Sequence, residues 1–115
     1  MSVMCIYGTL NQGRVIVEKC GDPFDAEEEA RYAQLNTDLE AFIRANGGDR
    51  AEKIVAAWGP AAMREYIKAA SASVCLPKNY ATVRGMAHGL VSVSGAAEVR
   101  SKLRAPRDPM TGFCL

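Results

Sequence analysis

VMCIYGTLNQGRVIVEKC, residues 3–20, carries the strand reading on which the fold class turns. Val3 to Leu10 and Arg14 to Cys20 are rich in Val, Ile, Tyr and Thr, and they flank Asn11-Gln12-Gly13, a short loop whose glycine can take a positive φ. That is the pattern of a β-hairpin. Met4 and Ile6 alternate with Val3, Cys5 and Tyr7, so both faces carry apolar groups and at least one lies on helices. A lone hairpin is marginal in water, so a third strand has to come from later in the chain.

Outward from this stretch the periodicity turns helical. Asp22-Pro23-Phe24-Asp25 opens a helix, with either Asp22 as cap and Pro23 at the first helical position, or Asp25 as cap and Glu28 closing a capping box. Glu27, Glu28 and Glu29 suit the positive end of the helix dipole and read as a solvated helix start. Tyr32, Leu35, Leu39, Phe42 and Ile43 form one apolar stripe, and Asn46-Gly47-Gly48 stops it.

The run DRAEKIVAAWGPAAMREYIKAASA, residues 49–72, is the expected core element of the chain: two helical pieces whose apolar faces offer most of the bulky side chains a core can use. Asp49 and Glu52 have the spacing of a second capping box, and Ile54, Val55 and Trp58 share a face. Gly59-Pro60 ends or kinks the first piece, because proline lacks a backbone donor. Pro60 also suits the first turn of a new helix, on which Met63, Tyr66, Ile67 and Ala70 align. Trp58 at this hinge is expected to plug the core; if exposed, it makes the hinge the leading binding surface.

Residues 77–93 fit a helix capped by Asn79 and stopped by Gly89, or strands bulged at Gly85 and Gly89. Leu90 to Val93 is β-rich and is assigned to strand, with 78–88 left open. His88 reads as a packing or surface histidine. A short helix runs from about Ser94 to Leu103, and RAPRDPMTGFCL is an extended tail whose end packs through Phe113 and Leu115 or frays. The expected fold is therefore α+β: an N-terminal hairpin on two to three amphipathic helices, joined by a strand near 89–94, in one domain spanning 1–115.

At 115 residues the chain can bury a core without staples, and with 49% apolar and 23% charged residues it reads as an ordinary globular domain. No apolar run approaches the ~18 residues of a membrane span, and MSVMCIYGTL lacks the basic flank and length of a secretory signal. A cytoplasmic location follows as the expectation. Cysteines 5, 20, 75 and 114 form no CxxC pair and there is one histidine, so neither a metal site nor any cofactor is expected. A Cys5–Cys20 bridge across the hairpin is conceivable, but buried reduced thiols are the expected state.

Charge is uneven along the chain. Residues 1–77 hold eight basic and eleven acidic side chains, whereas 78–115 hold six basic and two acidic ones. The basic last third can meet nucleic acid, an acidic protein surface, or the acidic face of the chain's own first helix.

Tyr7-Gly8-Thr9-Leu10 followed by Gly13 resembles the substrate-loop motif of the gamma-glutamylcyclotransferase-like family. The resemblance covers about seven residues and implies a strand-rich small barrel with a catalytic glutamate on a later strand. This chain departs from that pattern, since residues 25–72 read as helix and Glu98, the nearest candidate, stands in a helical context.

Three functions stay open. The first is a small non-enzymatic protein, with no catalytic residues, that inhibits or adapts another protein or a nucleoprotein complex, and that is possible also as a homodimer. Inhibitors encoded by phages and other mobile elements are the class expectation. Trp58, Met63, Tyr66, Arg100, Lys102, Arg104 and Arg107 are its candidate contacts, because aromatics and arginines carry most interface energy. The second is a nucleic-acid-binding regulator with a helix-turn-helix-like segment at 63–90, contacting its ligand through Lys78, Tyr80 and Arg84; its turn is longer than the usual motif's. The third is a small enzyme acting through Tyr7 to Leu10 or a reactive cysteine.

Overall fold

The computed structural model describes residues 1–114, and among them there is no strand. Six α-helices follow in order: α1 (Val3–Lys19), α2 (Ala26–Asn46), α3 (Ala51–Trp58), α4 (Pro60–Ala69), α5 (Pro77–Leu90) and α6 (Val93–Lys102). The α+β expectation is therefore corrected to all-helical, with neither the hairpin nor the strand near 89–94 present.

The reason lies in α1, the hub of the fold, which packs against α2, α3, α4 and α5. Ten of its seventeen residues are buried. A helix covered on most sides has no solvent stripe to impose a 3.6-residue period, so its Val, Ile and Tyr content imitates a strand. Ser2 caps it, its Oγ accepting from Cys5 N at 3.1 Å. Asn11 and Gly13, read as a turn, serve inside the helix. Asn11 Nδ2 donates to the Tyr7 carbonyl at 3.0 Å, and its Oδ1 accepts from Tyr32 Oη at 2.6 Å. A Cβ on Gly13 would stand 2.9 Å from Ala87 Cβ, so glycine is what lets α1 and α5 cross this closely.

Helix α2 has the Asp25–Glu28 capping box complete on both sides, and its buried stripe is Tyr32, Leu35, Leu39, Phe42 and Ile43. The second expected box is absent: a single 3-10 turn at Gly48–Arg50 leads into α3, and neither it nor α3 has a side-chain cap. Residues 78–88 are helix within α5, which starts at Pro77 rather than at an Asn79 cap. Two basic side chains close helix C-termini, where carbonyls lack partners. Lys19 Nζ donates to the Ile67 and Ala70 carbonyls, both at 3.0 Å, and Arg31 Nε donates to the Val91 carbonyl.

All four cysteines are paired, against the expectation of reduced thiols. Cys5 bridges to Cys114 and Cys20 to Cys75, with Cα separations of 5.4 and 5.3 Å. Each bridge has one end on α1 or its C-cap, so the central helix is tied covalently to the C-terminal segment and to the turn before α5. The partners are 109 and 55 residues apart in the chain, beyond what local spacing can indicate. Of the two residues expected to pack the tail, Phe113 is 81% exposed, and Leu115 lies outside the described residues. No helix is long and apolar enough to cross a membrane among the described residues.

Candidate functional site

The α3–α4 hinge sits directly on Tyr7-Gly8. Gly59 takes an extended conformation between the two helices; its N–H closes α3 on the Val55 carbonyl at 3.0 Å, and its carbonyl accepts from Met63 N at 3.0 Å to open α4. Pro60 occupies the first turn of α4, where no donor is missed. A Cβ on Gly59 would lie 2.8 Å from Tyr7 Oη, so the hinge backbone rests on that phenol. Tyr7 is fully buried and donates to Glu40 Oε2 at 2.8 Å. Burial, reinforced by the bond to that carboxylate, pushes the phenol's pKa well up.

One residue further along α1, Gly8 provides the seat for Trp58: a Cβ there would approach Trp58 Cε3 to 3.0 Å. Trp58 is 42% exposed, so the expectation of a core plug is replaced by an indole seated on one face and open on the other. The tetrapeptide that resembles a substrate loop is thus helix rather than loop, with Tyr7, Gly8 and Leu10 buried and Tyr7 and Gly8 supporting the hinge. Cys5, being oxidised, is not available as a nucleophile.

Beside Trp58 lies an open cleft of about 160 Å³, walled by Met1, Met4, Thr9, Gln12 and the Cys5–Cys114 bridge. The C-terminal segment forms its far side. Ser2 N donates to the Phe113 carbonyl at 3.1 Å and Met4 N to the Pro109 carbonyl at 2.9 Å, so this segment satisfies amide donors at the start of α1. Arg50 holds the same segment through Asp108 and through Met110 Sδ at 3.2 Å. An exposed indole, two methionines and a disulfide make this surface apolar and polarisable.

The expected contact residues divide into groups. Trp58 and Tyr66 are exposed on the α3–α4 arm, while Met63 is buried and belongs to the core. Arg100, Lys102, Arg104 and Arg107 lie on or beyond α6, which packs on α2 and α5 and not on that arm. Arg100 faces Asp38 at 3.9 Å, and half-buried Arg107 reaches the Met1 carbonyl at 3.4 Å. Lys102 and Arg104 are exposed. Met1, Met4 and the Cys5–Cys114 bridge were missed; the one signal for the bridge was an even number of cysteines in a short chain.

For the nucleic-acid reading, α4, a 3-10 turn at Ala72–Cys75 and α5 do run as helix, turn and helix. Two of its three contact residues are engaged internally, however. Tyr80 Oη donates to Asp22 Oδ2 at 3.2 Å, Arg84 pairs with the same carboxylate, and Lys78 alone stays exposed and without an ion pair among the described residues. His88 contacts Glu28 Oε2 through Nδ1 at 2.7 Å and the Asp22 carbonyl through Nε2 at 3.2 Å, with its ring edge-on to Phe24. Together with Arg100 and Asp38, these contacts turn two of the six basic residues of the last third, and His88, onto the chain's own acidic stretch from Asp22 to Asp38. Among the described residues no group of three or more His, Cys, Asp or Glu is placed to hold a metal ion.

Comparison with known proteins adds no relative: no family model matches the chain, and neither a curated protein nor a solved structure does.

Proposed function

We propose that this chain is a small non-enzymatic binding protein that inhibits or adapts another protein by offering it the Trp58 cleft. The observation that carries the reading is an indole supported from below by Gly8 and left 42% open above, at the edge of an apolar cleft. Interfaces concentrate their energy in such preorganised aromatics ringed by adaptable apolar groups. A partner presenting one apolar side chain fits the cleft's size.

The basic residues support this reading over the nucleic-acid alternative, since Arg84 and Arg100 already face acidic groups of the chain itself. Two disulfides are more usual in oxidising surroundings than in a reducing cytosol, and they favour a setting of the first kind for the interaction.

Affinity purification from the native cell, with and without nuclease, tests the proposal. The expected result is a stoichiometric protein partner that survives nuclease, is lost with Trp58→Ala and is retained with Arg104→Ala. Loss of the partner on nuclease treatment, or its retention by a folded Trp58→Ala variant, would overturn the reading. Circular dichroism establishes that the variant is folded.

A further inference from the structure

A second cavity, of about 320 Å³, opens between the start of α1 and the facing sides of α5 and α6. Its volume is within the range of about 300–1,000 Å³ typical of small-molecule sites. Ile6, Met86, Leu90 and Val99 supply apolar wall. Gly85 and Gly89, one turn apart on α5, line it without side chains, and a Cβ built on either meets no atom within 4 Å. Glycine inside a helix is costly, so neither position is explained by the helix itself.

Among the lining side chains charge comes from α6 alone, while Met1, which bears the chain's α-amino group, also lines the cavity. Glu98 and Lys102 line the same cavity one turn apart, and neither forms an ion pair among the described residues, although their spacing permits one. An apolar wall with one carboxylate side chain and one ammonium side chain at its exposed rim complements a molecule having an apolar body and a head of both signs. A ligand with a single charge leaves one of the two unmatched.

We propose that this cavity binds a small zwitterionic amphiphile of the apolar α-amino acid type, its carboxylate toward Lys102, its ammonium toward Glu98 and its side chain against Ile6, Met86, Leu90 and Val99. The site is separate from Trp58 and does not depend on the protein-binding role.

Three probes of shared body and different head test it: phenylalanine, 3-phenylpropionate and phenethylamine, titrated into the intact oxidised protein while backbone amide shifts are followed by NMR. Phenylalanine is expected to shift the amides of Gly85, Gly89 and Gly95 at millimolar concentration and to bind about tenfold more tightly than either single-charge probe, the value of one charge-assisted contact. Lys102→Gln should bring phenylalanine down to the level of phenethylamine. Gly85→Leu fills the space from a helix position where leucine is favoured, so the variant folds and should lose all three probes. Trp58→Ala should change none of these results, which keeps the outcome distinct from that of the protein interface. No shift of those amides by phenylalanine, equal binding of all three probes, or undiminished binding by Gly85→Leu would each overturn the proposal.

Discussion

Helix α1 buries ten of its seventeen residues and α2 only five of twenty-one, and the two are held by different means. The central helix has covalent ties at Cys5 and Cys20, a tight glycine crossing and an internal amide network. The peripheral helix relies on a capping box, one apolar stripe and side-chain pairs at its solvent edge, such as Arg14 with Glu29 at 3.1 Å. Where a helix is wrapped by its neighbours, what matters is fit and connection; where it faces water, what matters is pattern. Perturbations of α1 should therefore cost more than those of α2.

The largest effect is expected from removing the Cys20–Cys75 bridge. It closes a separation of 55 residues and fastens the end of α1 to the turn that launches α5. Cys20→Ser with Cys75→Ser should lower the unfolding free energy by about 2–5 kcal/mol, chiefly by releasing the unfolded chain. Urea denaturation of the double variant against the oxidised protein measures this. A loss as small as the few tenths of a kcal/mol typical of exposed substitutions would break the claim that covalent ties hold the central helix.

How much could be read in advance follows the same division. The α2 stripe and the Asp25–Glu28 box were legible because one face meets solvent and the cap is a local signal. The hinge was legible because Pro60 lacks a donor whatever its surroundings. Helix α1 was not, since burial on several sides removes the period and Asn11-Gln12-Gly13 has the composition of a turn. Gly13 is there for Ala87, seventy-four positions away in sequence numbering, and no local pattern contains that contact. The glycines of α5 left 78–88 open between a helix and bulged strands. At the candidate site, Trp58 stood out as the only tryptophan, while the Cys5–Cys114 bridge reaches it only through the return of the chain's end.

A smaller effect, and a sharper one, is expected at that crossing. Gly13→Val places a branched side chain where a single Cβ already comes within 2.9 Å of Ala87 Cβ, and overpacking of this kind costs about 1–3 kcal/mol. Ala33→Val on the exposed side of α2 should stay within about 0.5 kcal/mol. The double variant Gly13→Val, Ala87→Gly should recover part of the loss, because the added volume is returned at the point of contact. Absence of a favourable coupling energy between the two changes, with both singles folded and the glycine cost of Ala87→Gly measured alone, would place the loss elsewhere than at the crossing.

The smallest effect tests the solvent-side means of attachment by titration. His88 of α5 lies against Glu28 of α2 and against Asp22, which also holds Arg84 and Tyr80. Burial works to lower the histidine's pKa, but the bond to Glu28 and the nearby Asp22 outweigh it and the net shift is upward from 6.5. The protonated ring is thus favoured by folding: its contribution is full below 6.5 and is lost as pH rises through the raised value. Asp22 has the opposite sign. Burial works to raise its pKa, yet Arg84 and His88 hold it below 3.8, so its contribution is present above that value and lost as pH falls through the lowered one. The α2–α5 attachment should be strongest between these limits. Urea midpoints from about pH 5 to about pH 8 should decline for the native chain and stay level across the upper part for His88→Gln. A parallel decline in both would assign the pH dependence to other groups and leave α2 held by its cap and stripe alone.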